Sequence, residues 1–327
     1  MKIGLTYDLK DDYLKMGFSD EAAAEFDSME TIIGIEEALK SLDYQTEKIG
    51  NIQSLTQQLA AGKRWDLVFN ICEGLYGLGR EAQVPCLLDA YQIPYTFSDP
   101  LVLALALNKE LTKRVIRDLK IATPDFAVIE DEKDIDQISM EFPLFLKPIA
   151  EGTGKGISKN STVSNREELL TTAKKILLQF QQPVLVETYL PGREFTVGIL
   201  GTGDAARVIG VMEITLKTTA EPGSYSYLNK KHYRELVEYS FPNDLESRLS
   251  AELALKAWKG LGCRDGGRID VRSDRYGKPH FIEVNPLAGL HPDDSDLPII
   301  CKKAGLTYQE LIKIIVDSAK IRVGLMG

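Results

Sequence analysis

The chain has 327 residues and a formal net charge of −9, from 39 Lys and Arg against 48 Asp and Glu. This length exceeds one small core and predicts two or three subdomains. The acidic balance argues against broad binding to nucleic acid or to anionic membranes. The four cysteines form no CxxC pair, and the sequence has neither a signal-peptide core nor an apolar run of transmembrane length. We therefore expect a cytoplasmic protein with reduced thiols.

Strand and helix patterns alternate over the first hundred residues. The strand-type runs are residues 2–7, 45–49, 65–72 and 93–97. The alternation predicts an open parallel sheet with right-handed crossovers. Residues 8–27 are expected to form a long loop, and Ser28 is the predicted N-cap of the next helix. Ligands of such sheets bind at the carboxyl ends of strands, so the loop 73–80 is either a wall of a site or a flexible connector.

The pattern changes near Asn108. Helices are predicted from residue 109, after a capping box that begins at Ser164, and after Asn243 as N-cap. Further strands are predicted at residues 143–149, from 157, and at 184–190, 193–201 and 206–215. Residues 217–239 are polar and rich in tyrosine, without a clear period. They predict a long loop of the kind that often forms a functional lid.

Residues 268–286 predict a hairpin of two strands. Glu283 and Asn285 are two positions apart and therefore share a face of their strand. A turn near Tyr276 would place Asp270 opposite Glu283 on the neighbouring strand. Two carboxylates and an amide oxygen on one face suit Mg²⁺, which prefers a few protein oxygens together with phosphate oxygens. The alternative is an ordinary acidic strand face in solvent.

The glycines of the loop after strand 143–149 are Gly152, Gly154 and Gly156. Glycines let a backbone bend over a phosphate and point its N–H groups inward. Lys147 lies just before them and could neutralise that phosphate. The spacing matches neither a P-loop nor a dinucleotide-binding turn, and a plain hairpin turn is the alternative.

Three further charged residues fall on predicted strands. Glu187 and Glu194 bracket a Pro-Gly pair, where backbone groups could meet an adenine edge and an acid could bind ribose hydroxyls; surface glutamates are the alternative. Arg268 shares a face with Asp270 and could stabilise negative charge on a transferring phosphoryl group or a tetrahedral oxyanion. Its alternative role is a structural salt bridge with Glu283 or Asp270.

Four runs of the sequence resemble the D-alanine–D-alanine ligase family of the ATP-grasp superfamily: FPLFLKPIAEGTGKGIS, VLVETYLPGREFTVGILG, CRDGGRIDV and HFIEVNP. The resemblance implies an α/β N-terminal parallel-sheet domain over residues 1–105. It also implies two α+β subdomains, residues 106–183 and 184–327, that clamp ATP. The expected chemistry is activation of a carboxylate as an acyl phosphate, which an amine attacks to form an amide. A homodimer is also implied.

The resemblance also implies roles for individual residues. Those expected at ATP are Lys109, Lys147 and the lid residue Lys230 for the phosphates, Glu187, Thr188 and Leu190 for the adenine, and Glu194 for the ribose. The expected ligands of one or two Mg²⁺ ions, or of Mn²⁺, are Asp270, Glu283 and Asn285. The expected catalytic positions are Arg268, the backbone N–H of Gly289, Glu30 for the first substrate's ammonium, and Thr153 where the family has serine.

The departures from the family pattern concern the substrate side. Lys231 stands where the lid usually ends in tyrosine, and Glu73 replaces a histidine. The run 286–289 differs from the family's, and three acids follow it: Asp293, Asp294 and Asp296. These acids favour an amine or a cationic group over a carboxylate. The sequence thus predicts an ATP-dependent carboxylate–amine ligase for a small amino acid or peptide. Alternatives are D-alanyl-D-alanine synthesis itself and an ATP-binding regulatory subunit without turnover.

Overall fold

The computed structural model describes residues 1–221, 223 and 225–325. The N-terminal part contains a parallel sheet with the strand order β2-β1-β3, so the predicted parallel sheet is confirmed. Its strands are β1 Lys2–Tyr7, β2 Gln45–Gly50 and β3 Leu67–Ile71. Its helices are α1 Lys10–Lys15, α2 Met29–Ser41, α3 Ile52–Ala60, α4 Gln83–Ala90 and α5 Pro100–Leu107. Ser28 caps α2 as predicted, whereas α1 lies inside the segment predicted to be a loop.

The strand predicted at residues 93–97 is wrong. The segment makes only an isolated parallel bridge, between Tyr95 and Val68 of β3. Pro94 has no N–H to donate to a ladder. Phe97 has a left-handed φ of 72° and donates its N–H to the side chain of Asp265, 2.7 Å away. The chain therefore leaves the sheet after two hydrogen bonds.

The central part contains an antiparallel sheet with the strand order β4-β7-β5-β6. Its elements are α6 Lys109–Asp118, β4 Phe126–Ile129, β5 Leu144–Pro148, β6 Thr162–Val163, α7 Arg166–Phe180 and β7 Val184–Thr188. The strand expected from residue 157 is wrong, because turns continue to the two-residue strand β6. Asn165, not Ser164, is the N-cap of α7, since its side chain accepts the N–H of Glu168.

The C-terminal part contains an antiparallel sheet with the order β10-β9-β8-β11-β12. Its elements are β8 Glu194–Leu200, β9 Arg207–Leu216, α8 Tyr227–Lys231, α9 Tyr233–Leu236, β10 Val237–Ser240, α10 Leu245–Leu261, β11 Gly266–Ser273, β12 Pro279–Asn285, α11 Asp296–Lys303 and α12 Tyr308–Arg322. The predicted loop 217–239 therefore holds two short helices and the start of a strand; residues 222 and 224 lie outside the described residues. Asp244, not Asn243, caps α10.

The last helix, α12, packs against the core of the N-terminal sheet although it follows the C-terminal sheet in sequence. Its buried residues recur on one face: Leu311, Ile312, Ile315, Val316 and Ala319. They belong to one apolar cluster with Ile3 and Phe69 of the parallel sheet. The first and last segments of the chain are therefore packed together. In the part of the chain that the structure describes, no helix is long and apolar enough to cross a membrane.

The buried carboxylate of Asp265 joins these parts. Besides the N–H of Phe97, it accepts hydrogen bonds from Thr202 at 3.0 Å and Ser318 at 2.8 Å. Arg322 at the end of α12 lies 2.8 Å from it. Asp265 is fully buried, so its charge depends entirely on these partners. The sequence gives no pattern that would have indicated this role.

We expect Asp265→Ala to lower the free energy of unfolding by about 3 kcal/mol, because it leaves Arg322 and three donors without their acceptor. Urea unfolding followed by circular dichroism measures the change. Asp118→Ala, which removes an exposed carboxylate at the end of α6, is the matched control. Equal stabilities of the two variants would contradict this role for Asp265.

Candidate active site

The hairpin of β11 and β12 has the predicted register. Asp270 pairs with Glu283 and Arg268 pairs with Asn285 across the two strands. Arg268 forms an ion pair with the carboxylate of Asp270, as the structural alternative supposed. Thr196 of β8 donates a hydrogen bond of 2.8 Å to the other oxygen of Asp270. The hairpin therefore presents two carboxylates, one amide and one guanidinium on a single face.

Buried lysines and glutamates alternate next to this face. Lys113 lies 2.5 Å from Glu187, and Lys147 lies 3.0 Å from the other oxygen of Glu187. Lys147 and Lys109 then lie 4.0 Å and 3.8 Å from Glu283. We call these five residues the charge ladder. It runs from α6 through β7 and β5 to β12, and thus joins the central sheet to the hairpin.

The ladder keeps its members charged although it is buried. Burial alone would raise the pKa of Glu187, but Lys113 and Lys147 hold it below the ordinary value. Burial would likewise raise the pKa of Glu283, but Lys109 and Lys147 hold it below the ordinary value. Burial lowers the pKa of Lys113 to about 8 despite its partner Glu187. Three lysines face two glutamates, so the ladder has a spare positive charge for an anion.

The glycine-rich loop rests on a side chain that the sequence did not single out. Glu25 accepts the N–H of Gly152 at 2.7 Å and pairs with Arg80 and Lys155, each at 3.1 Å. A Cβ on Gly152 would lie 2.5 Å from this carboxylate, so glycine permits the contact. The N-terminal segment therefore determines where this loop lies.

The lid packs on the same loop. A Cβ on Gly154, whose φ is 74°, would lie 2.9 Å from the backbone nitrogen of Tyr227 at the start of α8. Lys231, at the position where the family has tyrosine, pairs with Asp20 at 2.7 Å. The hydroxyl of Tyr227 also donates to Asp20, at 3.2 Å. The segment predicted as a long loop, residues 8–27, is thus tied to α8 through Asp20.

Two neighbouring cavities receive most of the predicted residues. We call the first the nucleotide cavity; its predicted members are Lys109, Lys147, Gly154, Glu187, Thr188, Leu190, Glu194, Lys230, Arg268, Asp270 and Glu283. We call the second the acceptor pocket; its predicted members are Lys109, Gly152, Thr153, Arg268, Glu283, Asn285 and Gly289. The residues that line both are Lys109, Glu151, Arg268 and Glu283. The two cavities therefore meet at the charge ladder and the hairpin.

Several predicted residues lie elsewhere. Glu30, expected to bind an ammonium, has a side chain that is 72% exposed and lies 3.3 Å from His291. Gly156 lines a different groove, beside α7. Asp293 and Asp294 are exposed and pair with Lys302 and Arg234, because the loop after β12 turns them outward. Asp293 and Asp294 are therefore not among the acids that line the acceptor pocket.

Three of the acids that line the acceptor pocket belong to the N-terminal part of the chain. Glu73 comes two residues after the end of β3, and Glu81 lies in the middle of the short turn Arg80–Ala82 before α4. Glu25 lies beside them. Only Glu73 carried a signal in the sequence, as the residue in place of a histidine at a strand's carboxyl end. The positions of Glu25 and Glu81 depend on how their loops fold.

The donor set at the hairpin fits a hard divalent cation. Asp270, Glu283 and Asn285 offer two carboxylates and an amide on paired positions of two strands. Among the described residues, no group of three or more His, Cys, Asp and Glu side chains could hold a metal ion. The set on the hairpin has only two carboxylates and therefore suits Mg²⁺, which takes most of its ligands from phosphate oxygens and water.

A family model described as "D-ala D-ala ligase C-terminus" matches residues 115–317. The D-alanine–D-alanine ligase of Bordetella petrii is 33% identical over 295 residues, which are 89% of this chain and 86% of that protein. The chain belongs to the D-alanine–D-alanine ligase family. The ligase of Aquifex aeolicus is likewise 33% identical, over 88% of this chain and 94% of its own length.

Solved structures confirm the expected ATP-grasp fold. The D-alanine–D-alanine ligase of Bacillus anthracis in complex with ATP has a TM-score of 0.75 at 20% identity and covers all of both chains. The VanG D-Ala:D-Ser ligase of Enterococcus faecalis has a TM-score of 0.74 at 20% identity, over 97% of this chain and 99% of its own. The fold is therefore that of the family throughout, including the N-terminal sheet.

A pH dependence of stability follows from Asp27, which lies near the acceptor pocket. Burial, and then the neighbouring Asp8, raise the pKa of Asp27 to about 7. The folded protein therefore holds a proton that the unfolded chain releases, and stability is lost as the pH rises towards 7. Asn at this position has no proton to lose. We expect the stability advantage of Asp27→Asn over wild type to grow by about 2 kcal/mol between pH 5 and pH 8.

Unfolding in urea at both pH values measures this advantage. Asp118→Asn, on the exposed end of α6, should show no such change with pH. A difference between Asp27→Asn and wild type that stays constant from pH 5 to 8 would show that Asp27 is not a buried, protonated acid.

Proposed function

We propose that this protein is an ATP-dependent ligase that joins the carboxylate of one small amino-acid-like substrate to the amine of another. One observation carries the proposal: the nucleotide cavity and the acceptor pocket meet at Lys109, Arg268 and Glu283. The phosphate end of a bound ATP would therefore face the pocket in which an acceptor lies. The names of the relatives, D-alanine–D-alanine ligases, describe this class of reaction.

The nucleotide cavity can hold ATP with its phosphates at the charge ladder. Lys109, Lys147 and Lys230 are among the cations that line it and would contact phosphate oxygens. Mg²⁺ at Asp270, Glu283 and Asn285, as one ion or two, would neutralise phosphate oxygens while these side chains hold it. The adenine would lie along Glu187, Thr188 and Leu190, and its ribose at Glu194. Lid closure by α8 would exclude water from the phosphates.

The proposed reaction has two steps. A carboxylate oxygen of the first substrate attacks the γ-phosphorus, and the bond from that phosphorus to ADP breaks. The amine nitrogen of the second substrate then attacks the acyl carbon, so that a C–N bond forms, phosphate leaves and the amine loses a proton. Arg268 and the N–H of Gly289, both at the acceptor pocket, would stabilise the oxyanion of this second step. Positioning and charge neutralisation carry the catalysis, without a protein nucleophile.

The cytoplasm is the proposed location, because the reaction consumes ATP and all four cysteines are free thiols. Three of them are buried. The homodimer that the sequence resemblance implies stays a prediction.

Release of phosphate from ATP, measured across pairs of D- and L-amino acids and dipeptides, tests the proposal. We expect at least one pair to raise ADP formation well above the rate with ATP alone, with an equal amount of amide product. D-alanine alone should be included, because activity with it would identify D-alanyl-D-alanine synthesis. ATP binding without turnover by any pair would instead support the regulatory alternative.

Asp270→Asn should lower kcat by at least about 100-fold, because it removes a charged metal ligand and the partner of Arg268. Circular dichroism should show an unchanged fold. Asp204→Asn, which changes a fully exposed acid, is the control and should keep wild-type activity. Retained turnover in Asp270→Asn would show that the hairpin is not part of the active site.

A further inference from the structure

The acceptor pocket contains more negative charge than its own cations offset. Its lining acids are Glu25, Glu73, Glu81, Glu151 and Glu283. Its lining cations are Lys109 and Arg268. Arg268 is already paired with Asp270 and Asp296, which leaves it little charge for a further acid.

Three of these five glutamates have protein partners. Glu25 is held by Arg80, Lys155 and the N–H of Gly152. Glu151 pairs with Lys155 at 3.1 Å and accepts a hydrogen bond of 2.7 Å from Gln182. Glu283 belongs to the charge ladder. These acids organise the protein and are not free to bind a ligand's cation without losing a partner.

Glu73 and Glu81 are different. Within the described ranges, neither side chain has a hydrogen-bond or ion-pair partner. The hydroxyl oxygen of Thr153, on the same pocket, is also buried without a hydrogen-bond partner among the described residues. Buried polar groups in native proteins are normally satisfied. A buried hydroxyl without a partner, beside two partly exposed carboxylates that also lack one, therefore indicates that a ligand completes this pocket.

The electrostatics of the pocket indicate the sign of the charge on that ligand. Burial, then Glu81, Glu25 and Asp27, raise the pKa of Glu73 well above its usual range, and Arg80 opposes them. Burial raises the pKa of Glu81 to about 7; Arg80 and Lys109 oppose this, and Glu25 adds to it. Without a ligand, the pocket can relieve this repulsion only by binding protons. A cation in the pocket would relieve it directly, and an anion would worsen it.

We propose that the amine substrate of this ligase carries a second positive charge besides the amine that reacts, and that Glu73 and Glu81 bind that charge. The inference rests on the proposed function. The reacting amine must be neutral when it attacks, and it lies at the Arg268 and Gly289 end of the pocket, so it does not offset these two acids. A basic amino acid or a diamine meets the requirement. A small neutral amino acid such as alanine does not.

Pairs of substrates that differ only in this charge test the proposal. Lysine is compared with norleucine, and arginine with citrulline, in both D and L forms, each with alanine as the carboxylate partner and with Mg-ATP. ADP formation gives kcat/KM. We expect the charged member of a pair to be preferred about tenfold or more, because truncating one partner of a buried charge pair costs at least that factor.

Variants show whether the two acids cause the preference. Glu73→Gln and Glu81→Gln keep the size of the side chain and remove its charge. Each should reduce the preference for lysine over norleucine to about threefold or less, mainly through KM. Glu73→Asp should restore part of it. Glu141→Gln, which changes an exposed glutamate outside the pocket, should keep the full preference. Calorimetric titration with lysine in the presence of a non-hydrolysable ATP analogue gives the same comparison without turnover.

The outcomes separate the two proposals. Equal use of lysine and norleucine, or a preference that survives both Gln variants, overturns the inference and leaves the ligase assignment intact. Turnover with pairs of alanine, and with no basic amino acid, likewise overturns the inference and leaves the ligase assignment intact. If no pair of any kind forms ADP, the ligase assignment fails and this inference fails with it.

Discussion

The charge ladder is the interaction on which the rest of the site depends. Five largely buried side chains of alternating sign, from Lys113 to Lys109, connect helix α6, two strands of the central sheet and the hairpin of β11 and β12. Buried ion pairs add little net stability over apolar packing, but removal of one member leaves an uncompensated charge. The ladder therefore holds the two sheets at one separation. In the proposed function, that separation lets a nucleotide's phosphates reach Lys109 and Lys147 together.

The N-terminal segment supplies the other fixed point. Glu25 holds the glycine-rich loop through the N–H of Gly152, and Asp20 holds the lid through Lys231 and Tyr227. The two contacts differ in strength for a physical reason. The side chain of Glu25 is 9% exposed, whereas those of Asp20 and Lys231 are about half exposed, so solvent and salt weaken the lid contact. The loop is thus held more firmly than the lid, which in the proposed function opens for substrate exchange.

Local patterns predicted the parts of the site that lie on regular elements. Alternation along the hairpin was enough to place Asp270 opposite Glu283, because neighbouring strands pair residue by residue. The sequence also predicted the parallel sheet and the N-cap Ser28. It was wrong at residues 93–97, where β propensity is high but Pro94 and a contact to distant Asp265 end the pairing. Tertiary context overrode propensity there.

By itself, the sequence determined the fold family and predicted residues for ATP and metal, because the motifs that carry them lie at short, regular spacings along strands. Only the tertiary structure decided which acids face the acceptor. Asp293 and Asp294 follow the proposed metal ligands closely in sequence, yet they turn outward to Lys302 and Arg234. Glu25 and Glu81 are far away in sequence, yet they line the acceptor pocket. Loop conformations and contacts between distant segments place such residues, and neither can be derived from local periodicity.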